Sequence, residues 1–149
     1  MTPTLLGRWQ TRIFLLFTVG FVVTLPFVFS QGRFQPNFIY FWILFYLGLL
    51  GLIWDILYNF LQQFFWDRDW PGVMQLLAAI FEAIVLILII KFWGLPYINP
   101  DRFQLHLFIT HYSVVWLSIY FSSWTLMRLL FPQWRFRGGE WIGNWPKSK

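Results

Sequence analysis

Apolar and polar residues along this 149-residue chain fall into four long hydrophobic runs divided by short polar connections. The runs cover about 13–29, 38–61, 73–93 and 105–131. A helix crosses the hydrocarbon of a bilayer in ~17–25 residues, so each run is long enough to span. The pattern predicts an all-α polytopic integral membrane protein with four antiparallel transmembrane helices, multi-pass and lodged in a membrane.

The first run follows Arg8 and Arg12 and is closed by Pro26 and Ser30-Gln31-Gly32. A basic start, an apolar middle and Val28-Phe29-Ser30 also resemble a cleavable signal, which would leave three spans. The run exceeds the ~7–15 apolar residues of a signal, so a retained span is the expectation. In the second run Gly48, Gly51, Asp55, Asn59 and Gln62 fall on one narrow stripe at 100° per residue. In the third, Gln75, Ala78, Ala79, Glu82 and Leu86 share a face. Gly48 and Gly51 on one helix, and Ala78 and Ala79 on the other, are expected to let helices approach closely. The fourth run has two polar faces: His106, Thr110 and Ser113 on one, His111, Ser118, Ser122 and Thr125 roughly 120° away. Both sides of that helix should touch protein. Asp67-Arg68-Asp69 reads as a capped turn ahead of Pro71, and 94–104 as a loop.

Composition points the same way. Hydrophobic residues make up 58% of the chain and charged residues 11%, against about 25% charged in a soluble domain, too few to cover a wetted surface. Cysteine is absent, which excludes disulfides and thiolate metal sites. The net charge of +5 does not indicate nucleic acid. Five of the 11 cations, Arg128, Arg135, Arg137, Lys147 and Lys149, flank the last apolar run, the usual position beside a span. Residues 132–149 therefore read as a basic, aromatic interfacial tail. Trp134, Arg135, Arg137, Trp141 and Trp145, with Trp66 and Trp70 in the second connection, are expected at headgroup depth. Eight cations fall on the side of the termini and three (Arg33, Lys91, Arg102) opposite, which places both termini in the cytoplasm.

The chemistry resides in the few ionisable groups at membrane depth. An ionised carboxylate near mid-membrane costs about 2.5–3.5 kcal/mol to insert, so Asp55 and Glu82 should turn away from lipid. At ~1.5 Å rise per residue, Asp55, Glu82 and His111 lie roughly 10, 15 and 20 Å from the cytoplasmic boundary. Asn59, Gln62 and Gln75 would extend this line inward, and Thr110 and His106 outward. One reading is a proton or ion pathway with Glu82 as its titrating carboxyl; the other is polar glue between helices. A metal site is not expected: His106 and His111 are roughly 140° apart on their helix and cannot clamp one ion. Nucleophile elbow, His-Glu-x-x-His and phosphate- or dinucleotide-binding glycine loops are absent from the sequence, and no catalytic residue or cofactor is assigned.

The sequence thus predicts a non-catalytic small membrane protein, a subunit or anchor of a larger assembly, homo- or hetero-oligomeric. The alternative is a small oligomeric proton- or ion-coupled transport protein using Glu82, Asp55 and His111.

Overall fold

The computed structural model describes residues 4–29, 37–64, 72–100 and 103–142, and among them the chain is helical with no strand. Four long helices account for it. The first, α1 (Leu5–Phe29), opens at Thr4, whose extended backbone and hydroxyl, accepting from the Gly7 N–H at 3.1 Å, cap the free first turn. α1 widens to a π turn over Leu16–Gly20 and resumes to Phe29 through Pro26. Gly20 permits the π turn to lie close to Leu44 of the next helix: a Cβ there would meet Leu44 at 3.2 Å.

α2 (Ile39–Leu61) continues as a 3-10 turn, Gln62–Phe64. α3 covers Gly72–Phe92 and α4 covers Leu105–Leu130, followed by a 3-10 turn at Trp134–Phe136. The second, third and fourth runs thus become helices within a residue or so of the expected limits. The first does not. Its expected start at Ile13 rests on Arg8 and Arg12 as flanking charges, whereas the helix begins eight residues earlier and carries both arginines inside it. Hydropathy treats an arginine as exposed to lipid; here both side chains turn inward to partners, so the helix runs on through them.

Three helices, Leu5–Phe29, Ile39–Phe64 and Gly72–Phe92, are long and apolar enough to cross a membrane. Their outer faces are apolar, with Phe17, Val22, Ile53 and Val73 each more than 60% exposed, a surface suited to acyl chains rather than water. α4 is long enough at 26 residues but less apolar, because it carries the polar residues of its two faces.

The interior divides into two halves. One half is a dry core of Val28, Tyr40, Ile43, Leu86, Ile90 and Phe108, capped by the 94–100 loop through Ile98. In that loop Tyr97 adopts φ +66 and stacks on Trp42 at 4.1 Å, while Tyr46 donates to the Pro96 carbonyl. The other half, where α1 begins and α2 ends, holds the buried charges. At opposite ends Arg8 meets Gln62 and Asn37 meets Val28, so α1 and α2 run in opposite directions. The turn predicted at Asp67-Arg68-Asp69, the role of Pro71, and the interfacial Trp66, Trp70 and Trp145 lie outside the described residues.

The described part of the tail folds onto the start of α1. The Thr4 N–H donates to Gly138 O at 2.7 Å, Gln10 Oε1 accepts from the Trp141 and Ile142 N–H groups, and Trp134 Nε1 donates to Thr11 Oγ1 at 2.8 Å. Trp141 packs on Phe14 and Phe131. Gly7 and Gly139 make the approach possible, since a Cβ on Gly7 would run into the Gly138–Glu140 backbone. Trp134 and Trp141 are thus packing groups. Arg137 is half-buried, and Arg135 belongs to the 3-10 turn, its side chain outside the described atoms.

Candidate functional site

Arg12 lies in the third turn of α1 and projects between α2 and α3. Its Nε and Nη2 each donate to one oxygen of Asp55 at 2.9 Å, the planar fork that a guanidinium makes on a carboxylate. Its Nη1 and Nη2 reach Glu82 Oε2 and Oε1 at 3.3 Å. The side chains of Asp55 and Glu82 are 4% and 9% exposed, that of Arg12 24%. One guanidinium from α1 therefore ties an acid on α2 to an acid on α3. The stem of Arg12 passes over Gly51, where any Cβ would collide with the guanidinium.

A second layer surrounds the trio. Arg8, one turn earlier on the same face of α1, donates to Gln62 Oε1 at 2.8 Å and lies within electrostatic reach of Asp55. Tyr58 stands close enough to Glu82 to interact with it. Counted together, Arg8, Arg12, Asp55 and Glu82 carry two positive and two negative charges. A neutral set is the condition under which charges stay in a low-dielectric interior.

The predicted ladder is therefore redrawn. Asp55 and Glu82 do come together, but through Arg12, a residue expected from sequence to flank the span on the cytoplasmic side. His111 does not join them. It is fully buried near the π turn, between the rings of Phe27 and Tyr40 at 5.0 Å, and its Nε2 lies 3.0 Å from Thr24 Oγ1. Thr24 spends its proton on the Gly20 carbonyl at 2.7 Å. The hydroxyl must then accept from Nε2–H, and Nδ1 is left with a lone pair and no partner among the described residues. His106 is exposed, and its carbonyl takes the Thr110 hydroxyl. Asn59 is half-buried; Gln75 holds a buried Oε1 without a hydrogen-bond partner among the described residues.

Of the small residues, Gly51 and Ala79 make the close contacts: Ala79 O accepts from the Tyr112 hydroxyl at 2.7 Å, joining α3 to α4. Gly48 is less critical, because a Cβ there would touch Leu16 at an ordinary 3.6 Å. Among the described residues no three of His, Asp and Glu gather closely enough to share a metal ion. The sequence signal for Arg12 was present: Thr4 as a helix cap, two arginines four apart on one face, and two deep acids that lacked a cation.

Beside the trio lies a cleft of about 240 Å³, walled by α1, α2, α3 and α4 and closed at the tail by Trp134 and Gly139. Its polar lining includes Arg8, Arg12, Asp55, Tyr58, Gln75, Glu82 and Ser123; Ala78, Val115, Trp116 and Ile119 are among its apolar lining. α3 and α4 draw together at Tyr112 and again near Gly72, which approaches the Tyr120 hydroxyl. No protein-family model, curated protein or solved structure matches the chain.

Proposed function

We propose that this chain is a non-catalytic four-span membrane protein that serves as a subunit or anchor of a larger membrane assembly. The observation that carries this reading is the two-sided α4. Its inner side, Phe108, His111, Tyr112 and Val115, is buried against this chain, whereas His106, Thr110 and Ser113 form an exposed polar stripe on the outer side. Hydroxyl and imidazole groups in hydrocarbon are costly unless another helix receives them, and small polar residues are what helices in membranes use to associate. The Arg12–Asp55–Glu82 cluster supports the same reading, because it uses both deep acids as cross-links between helices.

In this reading α4 is the fourth span and the four helices alternate in direction. Both termini face the cytoplasm: with Arg8 and Arg12 assigned to the bilayer, six cations remain on that side against three. The native absence of cysteine makes the test clean. Single cysteines at Thr110 and Ser113, treated with a short thiol–amine cross-linker in native membranes, should give discrete higher-mass adducts. A cysteine at the exposed Ile53 should not. Equal adduct yields at all three positions would sink the subunit reading.

The transport reading keeps one observation in its favour, since the cleft reaches the charged cluster from outside. It requires pH-dependent flux in reconstituted vesicles that Glu82→Gln abolishes while the fold is retained.

A further inference from the structure

We propose that the cleft between α3 and α4 binds a neutral, hydroxyl-headed amphiphile drawn from the bilayer, its head at Gln75 and Glu82 and its hydrocarbon body against Ala78, Val115 and Ile119. This site stands whether or not α4 also meets a protein partner.

Three features lead here. The first is unmet hydrogen bonding. Gln75 Oε1 is buried beside the cleft and has no donor among the described residues. Glu82 takes long 3.3 Å bonds from Arg12, where Asp55 takes short ones, and with Tyr58 beside it still has room, since a carboxylate accommodates about four donors. Gln75 Oε1 thus lacks a donor, which a hydroxyl supplies. The second is charge: the two arginines and two acids at the cleft balance, so an anionic or cationic head would enter with no counter-charge. The third is shape. The cleft lies between α3 and α4, which draw together at the Tyr112–Ala79 bond and again where Gly72 meets Tyr120. The cleft is open on one side, so a hydrocarbon tail can leave it. The volume, about 240 Å³, exceeds the roughly 150 Å³ apolar cavity that admits benzene, so a head and several carbons fit.

The test uses the full chain in phosphatidylcholine nanodiscs and a diazirine-bearing hexadecanol, with matched probes headed by a carboxylate and by trimethylammonium. Peptide mapping after irradiation should place saturable labelling within residues 75–82 and 112–123, competed by unlabelled hexadecanol. The alcohol should label at lower concentration than either charged probe. Gln75→Leu should weaken it about tenfold, the factor one neutral hydrogen bond commonly carries. Ala78→Phe, which fills the cleft and leaves Gln75 in place, should remove the saturable component. Labelling that fails to saturate, or that is equal for the three heads, would overturn the proposal, as would preference for a charged head or indifference to Gln75→Leu. The head-group comparison uses the unaltered chain, so it decides the matter even if a variant folds poorly. Cross-linking at Thr110 and Ser113 reports on the subunit reading separately.

Discussion

Removing the Arg12 guanidinium is the sharpest perturbation of this fold. Arg12→Met keeps an unbranched side chain of similar reach and leaves Asp55 and Glu82, both nearly buried, facing one another without their shared cation. At an effective dielectric of about 20, a pair of unit charges ~4 Å apart is worth about 4 kcal/mol, and Arg12 makes two such pairs. Desolvation of all three groups offsets much of that gain, which is why replacing a whole buried cluster with apolar residues is often neutral. Deleting one member alone typically costs about 3–5 kcal/mol. Because Arg12 keeps 24% of its side-chain surface, the loss should fall toward the lower end, about 3 kcal/mol. The triple variant Arg12→Met, Asp55→Leu, Glu82→Met should recover most of this. Reversible unfolding by SDS in bicelles, followed by tryptophan fluorescence, measures both. A single-variant loss below about 1 kcal/mol, the level of an exposed pair, would refute the cluster as a cross-link. So would a triple variant no more stable than Arg12→Met.

Further predictions rest on close contacts elsewhere. Gly51→Ala should destabilise by about 1–3 kcal/mol, since its Cβ displaces the Arg12 guanidinium, whereas Gly48→Ala should be neutral or stabilising in the same unfolding assay. Gly7→Ala should detach the tail, seen as faster hydrogen exchange at Gly139, Trp141 and Ile142 with α2 and α3 unchanged; slow exchange there would show that the tail tolerates the methyl group. Thr24→Val should cost about 1–3 kcal/mol by stranding the His111 Nε2–H, and adding His111→Leu should restore stability because both polar partners are then gone. A double variant as unstable as Thr24→Val would contradict that pairing.

Sequence alone determined the helical class, the limits of α2, α3 and α4, and the inward faces of Asp55 and Glu82. Helix period and span length are local properties, and they are written in successive residues. The stripe through Gly51 and Asp55, and that through Ala79 and Glu82, were legible because few polar residues stand out against an apolar background. Tertiary structure decided the rest. Arg8 and Arg12 looked like flanking cations because a hydropathy pattern carries no information about a partner 43 residues away; only the meeting of α1 with α2 gives Arg12 its carboxylate. His111 looked like a rung beyond Glu82 because depth was estimated without azimuth, and packing turned it to Thr24 instead. The tail's aromatic and basic residues gave no sign that two facing glycines, Gly7 and Gly139, let its backbone lie on α1. In each case the deciding contact joins residues far apart in the chain, and a pattern read along the chain carries no record of such a pair.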